Sequence, residues 1–151
     1  MRAIDLSLLL LLVVGAGPAA GQTCPTTGAL NRAGIRNALG EKWACAKDGA
    51  DMWNQRIATG FTGTFAECHS GLATGADPID NNKGTFVISN TTGPGAIDTI
   101  TYTYPPSGGS YTYRVYEVTA GSVYTFCRPS DSKNYTVRIS TCPPASLNNC
   151  P

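Results

Sequence analysis

The sequence predicts a mainly β chain: an up-and-down antiparallel barrel of about eight strands, led by one short N-terminal helix. Three observations carry this expectation. Several segments of the second half alternate apolar and polar residues with period two, turn-forming residues divide them at short intervals, and only one segment shows helical spacing.

The helical segment covers residues 29–39. Leu30, Ala33 and Ala38, with Ile35 and Leu39, form an apolar stripe; Thr27 or Asn31 is placed to cap its start, and Gly40 follows as a stop. So short a helix needs packing on the rest of the chain to persist. Arg32 and Arg36 lie one turn apart and read as a solvated face.

After Gly40 the pattern becomes that of strands. Residues 42–47 place Trp43 and Cys45 on one parity, and residues 52–59 form a weaker run ended by Gly60. Residues 62–68 follow, and residues 69–84, rich in Gly, Asp and Asn, read as a surface loop. Residues 85–90 put Phe86 and Ile88 on one face. Residues 97–104 alternate Ile100, Tyr102 and Tyr104 with threonines, and residues 110–118 set Tyr111, Tyr113 and Val115 against Thr112, Arg114 and Tyr116. Ala120-Gly121 is the turn into residues 122–127, and residues 135–141 oppose Tyr135, Val137 and Ile139 to Thr136, Arg138 and Ser140. Such alternation means antiparallel strands with one buried and one wet face. The hairpin-to-hairpin order favours a barrel; a two-sheet β-sandwich, which needs longer crossing connections, is the alternative.

Compartment is read from the first residues. Arg2, an unbroken apolar run over residues 6–14 and a small-residue stretch over 15–21 follow the order of a signal peptide, with cleavage expected before Gln22. The expected organisation is a signal peptide over residues 1–21 and a single disulfide-stabilised β domain over 22–151, secreted or periplasmic, with no membrane span after signal removal. The six cysteines, Cys24, Cys45, Cys68, Cys127, Cys142 and Cys150, all fall in that domain and predict three bridges. Six cysteines permit fifteen pairings. Placement in core strands favours Cys45 with Cys127, leaving Cys142 and Cys150 to join each other or to hold Cys24. Without a C-x-x-C pair, and with His69 as the single histidine, neither a zinc site nor another metal or cofactor is expected.

Charge excludes one class of partner. Eleven basic and ten acidic residues give a formal charge of +1, and the basic residues are scattered, so no stripe exists for nucleic-acid phosphates. No catalytic set is assigned. His69 stands beside Cys68 without a nucleophile elbow, Asp77 and Asp80 are turn formers, Glu117 lies late in a strand near a hairpin, and Glu67 flanks the predicted loop. The aromatics Trp43, Trp53, Tyr102, Tyr104, Tyr111, Tyr113, Tyr116 and Tyr124 are explained first by packing across strands, second by a ligand cavity, and third by a contact face. Asn90-Thr91-Thr92 and Asn134-Tyr135-Thr136 match the glycosylation acceptor pattern, which acts only in a eukaryotic secretory route.

Gly40-Glu41-Lys42-Trp43, following a short helix and opening a series of meandering strands, resembles the start of the lipocalin-like (calycin) barrels. Two residues stand between Gly40 and Trp43 where that family has one. The resemblance implies that Trp43 plugs one barrel end against an arginine of the last strand, here Arg138. It also implies a cavity for a small apolar ligand. The repeated Thr-Tyr pairs are similar to those of small exported bacterial proteins of uncharacterised function. The expected function is therefore a non-catalytic binding module for a small apolar ligand. The alternatives are a secreted structural or inhibitory protein acting through contacts with another extracellular protein, and a small hydrolase.

Overall fold

The structure, a computed structural model, describes residues 23–49, 51–71, 75–76, 79–93 and 95–140. The predicted signal segment, the expected cleavage site, Asp77, Cys142 and Cys150 lie outside them. The elements are α1 (Arg32–Leu39), β1 (Trp43–Asp48), β2 (Asp51–Ile57), β3 (Thr62–Gly71), β4 (Gly75–Ala76), β5 (Asp80–Ile88), β6 (Ile100–Tyr104), β7 (Gly109–Thr119), β8 (Val123–Arg128) and β9 (Lys133–Ser140). All strand pairs are antiparallel, and the order β1-β2-β3-β5-β6-β7-β8-β9 returns on itself through β9 and β1. Eight strands thus close a barrel in meander order, and β4 is a two-residue addition to β3 outside the ring. The expected barrel is formed; the sandwich is not.

Period-two chemistry explains each wall. Phe86 and Ile88, Ile100 and Tyr102, and Tyr135 and Val137 are buried inside, while Thr85, Thr103, Thr136 and Arg138 face out. The outward threonines pair across strands: Thr101 with Thr112 at 2.8 Å and Thr103 with Ser110 at 2.9 Å. These short hydroxyl contacts join neighbouring strands on the solvent side.

The glycine- and asparagine-rich stretch read as a loop is largely strand. β3 continues to Gly71 and β5 begins at Asp80, with Glu67 opposite Asp80 and Phe65 opposite Gly84. Asp80, Asn81 and Asn82 are exposed, so this part of β5 buries little and leaves no apolar pattern to read. The register between β3 and β5 shifts between Phe65 and Glu67. Gly84 is required there, because a Cβ at that position would lie 2.2 Å from the Thr103 carbonyl oxygen and 2.7 Å from Phe65 Cε1.

Helix α1 closes one end of the barrel. Asn31 caps it, its side chain accepting from the Gly34 amide at 2.8 Å, and Asp98 Oδ2 accepts from the Arg32 amide at 2.7 Å. Ile35, Ala38 and Leu39 are buried in the core, whereas Ala33, expected on the same stripe, is exposed. The residues flanking and starting α1 bond the surrounding strands: the Leu30 amide to Val115 O within β7, and Arg32 Nε and the Glu41 amide to Ile88 O and Ile57 O at the ends of β5 and β2. Arg32 and Arg36 do not form a bare solvated face, since their guanidinium groups lie 3.8 and 5.0 Å from the Phe61 ring centre. The segment before the helix is fastened by a Cys24–Cys127 disulfide and by Pro25 O, which accepts from Arg114 Nη1 at 3.1 Å and from the Tyr116 hydroxyl.

Candidate functional site at the open barrel end

The end opposite α1 is not filled. There the barrel opens into a pocket of about 390 Å³ lined by Trp53, Gln55, Glu67, Tyr104, Tyr111, Tyr113 and Tyr135, with Asp48, Arg128 and Lys133 around it. Below it, Phe65, Phe86, Tyr102, Tyr124 and the aliphatic residues from Ile88 to Val137 pack the interior down to the helix. The interior is therefore filled at one end and hollow at the other.

Strand register assembles the polar part of this pocket. Gln55 on β2 stands directly opposite Glu67 on β3, so the two side chains share the inner face. Gln55 Nε2 donates to Glu67 Oε2 at 2.8 Å, and the Tyr104 hydroxyl, reaching across from the end of β6, donates to the same oxygen at 2.6 Å. Gln55 is also within hydrogen-bond distance of the Tyr104 hydroxyl. Glu67 is only 5% exposed. Tyr104 is held by Phe65 and Tyr111, whose rings meet it edge-on at 5.1 and 5.8 Å. Gly108 keeps the room for it, since a Cβ there would come 2.5 Å from Tyr104 Cβ.

The electrostatics separate a buried part from a wet one. Burial, then the neighbouring Glu67 charge, raises Tyr104 far above the ordinary phenol range, so its hydroxyl keeps its proton and donates. Burial first, and Tyr135 second, pushes Tyr113 up to about 12. Around the mouth the charges are paired: Arg128 with Asp131, which holds that carboxyl down to about 2, and Lys133 with Asp48 at 3.1 Å. The Arg128 guanidinium lies 5.6 Å from the Tyr111 ring centre and 5.8 Å from that of Tyr135. Trp53 meets Tyr135 edge-on at 5.3 Å.

The residues singled out from sequence fall elsewhere. Trp43 does not plug the barrel: Ala44 and Ala46, of the opposite parity, belong to the core, and Trp43 shares the outer face with its cross-strand neighbour Arg56, whose guanidinium is 5.1 Å from the ring. Arg138 is exposed on the outer wall opposite Cys45 and makes no stack on Trp43. The plug is α1. Cys45 is disulfide-bonded, but Cys127 is joined to Cys24, so the favoured Cys45–Cys127 pairing, and a bond from Cys24 to Cys142 or Cys150, are both replaced. Cys45 and Cys68 are buried together on the outer face beside Met52. Asn90 and Asn134 are exposed, and His69 lies in β3 in register with Trp53. Glu117 serves the β7–β8 turn, accepting from the Gly121 amide at 2.8 Å.

Sequence reasoning missed Gln55 entirely and left Glu67 at the edge of a loop. The available signal was parity: extending the strand over residues 62–68 puts Phe65 and Glu67 on one face. Among the described residues, no three or more His, Cys, Asp or Glu side chains gather as a metal site, and no helix is long and apolar enough to cross a membrane.

No family model matches the chain, nor does any curated protein or solved structure.

Proposed function

We propose that the chain is an exported, lipocalin-like binding module that takes a small ligand into the open end of its barrel. One observation carries the reading: α1 seals one end, while the other holds a pocket of about 390 Å³ with a buried Glu67–Gln55–Tyr104 group among aromatic walls. Pockets of this size suit small organic ligands, and this one sets the rings of Trp53, Tyr104, Tyr111, Tyr113 and Tyr135 beside the polar side chains of Gln55 and Glu67. The sequence points to an apolar ligand; the polar group refines this to a flat apolar body carrying one hydrogen-bonding function. Export rests on the leader pattern and the six cysteines, and the Cys24–Cys127 disulfide fits it.

The test uses Trp43→Phe, which leaves Trp53 as the single tryptophan reporter inside the mouth. A fragment set of small aromatic compounds is screened by Trp53 emission and by amide shifts in the NMR spectrum. Saturable emission changes with shifts centred on Tyr104, Tyr111 and Tyr113 are expected. Shifts confined to the outer wall, or no saturable response, would overturn the reading.

A further inference from the structure

Among the described residues, one acidic side chain of the pocket, Glu67, has no basic partner. Glu67 is buried, yet both of its bonds come from neutral donors, and both fall on Oε2; Oε1 receives neither. Lys133 is spent on Asp48 and Arg128 on Asp131. Among the described residues these ion pairs cancel around the mouth, and Glu67 remains as the unmatched carboxylate of the lining. A buried carboxylate is expensive without a counter-ion, and its natural complement is a positive charge arriving with the ligand.

The walls fit the same charge. Trp, Tyr and Phe rings attract cations to their faces, most strongly where water is excluded. Two rings of the lining, Tyr111 and Tyr135, already have the guanidinium of Arg128 nearby, so the mouth tolerates positive charge against its aromatics. Trp53, Tyr104 and Tyr113 line the same pocket as Glu67, and Tyr104 is bonded to it. An anionic ligand would meet Glu67 as a like charge.

Resting on the reading of the mouth as a ligand site, we infer that its ligand class is a small organic cation. This is an amine on a single ring or short apolar body, its ammonium on Glu67 Oε1 and its body between Trp53 and the tyrosines. Gln55 and Tyr104 act as positioning residues, fixing Oε2 so that the other oxygen faces the pocket.

The experiment titrates the intact protein, near pH 7 and at low salt, with arylalkyl amines and their matched alcohols, beginning with 2-phenylethylamine and 2-phenylethanol; phenylacetate is the anionic control. The amines are expected to bind at least about tenfold tighter than the alcohols, and phenylacetate not at all. Glu67→Gln is expected to weaken the amines by at least about tenfold and to bring the amine-to-alcohol ratio close to one. Should Glu67→Gln fail to fold, the amine-to-alcohol ratio on the parent protein decides. Amines and alcohols binding alike, or phenylacetate binding best, would overturn the cation inference while leaving the ligand site standing. Absence of saturable binding by any of the compounds would remove both.

Discussion

Replacing both Cys24 and Cys127 by alanine removes a cross-link between residues 103 positions apart. By the loop-entropy argument, a loop of that size restricts the unfolded chain by about 4.7 kcal/mol. Cys45 lies inside this loop in sequence and is itself disulfide-bonded, so part of the restriction survives the change. The expected loss is therefore about 2–4 kcal/mol. Against a typical total of about 5–15 kcal/mol this leaves a folded but weakened barrel. Urea unfolding followed by tryptophan fluorescence and circular dichroism is the assay. The midpoint should fall, and the slope should rise as the unfolded ensemble expands. Amides of α1 should also exchange faster, because the segment delivering the helix to the barrel end is anchored by Cys24 and by the contacts on Pro25 O. A loss below about 1 kcal/mol would refute the reasoning.

Gly84→Ala would force a Cβ to within 2.2 Å of the Thr103 carbonyl, and a loss of about 1–3 kcal/mol or more is expected by urea titration; a neutral result would mean the β5–β6 contact is looser than described. Arg56→Ala should lower stability by about 0.5–1 kcal/mol through its place over Trp43, while Arg138→Ala, on an exposed side chain, should change the melting temperature little. The reverse ranking would restore the Trp43–Arg138 pairing. Burial opposes the charge on Asp98, but bonds from the Thr91 and Arg32 amides outweigh it and lower its pKa below 3.8. Its stabilisation is therefore complete above that value and disappears as pH falls through the lower folded value, so Asp98→Asn should destabilise at pH 7 and match the parent in strong acid. Of the seven tyrosines, Tyr102, Tyr104, Tyr113, Tyr124 and Tyr135 are raised, chiefly by burial. Alkaline titration at 295 nm should show a delayed fraction, with stability falling above pH 10; seven phenols ionising together near 10, with the fold intact, would contradict the burial described.

Alternation made the second half legible, because β6 and β9 each bury one parity and wet the other, whereas in β7 Val115 alone is buried and Tyr111, of the same parity, is exposed at the open end. The helix was legible for the same reason at period 3.6, although Ala33 turned outward and Asn31, not Thr27, is the capping residue, with Asp98 accepting from the Arg32 amide beside it. The mouth was harder to read. Gln55 and Glu67 are polar residues at inward positions, and polarity inside a strand reads from sequence as a wet face or a loop. Only their cross-strand register, and the arrival of Tyr104 from a strand distant in sequence, turns them into a site. Trp43 misled because bulk suggests burial, while the small alanines beside it hold the inner positions. Disulfide pairing was equally out of reach, since the partner of Cys127 depends on where the segment before the helix runs.

The ring is stitched unevenly. Most neighbours in the barrel are also neighbours in the chain, so their hairpins can form over short distances. The seam between β1 and β9 joins Trp43 to Ser140, Ala44 to Ile139 and Cys45 to Arg138, across nearly the whole described chain. Closing so long a loop carries an entropic cost before three residue pairs can repay it. That seam is then the last to form, and until it does the sheet is an open ribbon with two bare edges. Those edges are templates for each other and equally for a second copy of the chain. Refolding yield should accordingly fall with protein concentration, and the species lost should be one in which β1 of one molecule has found β9 of another.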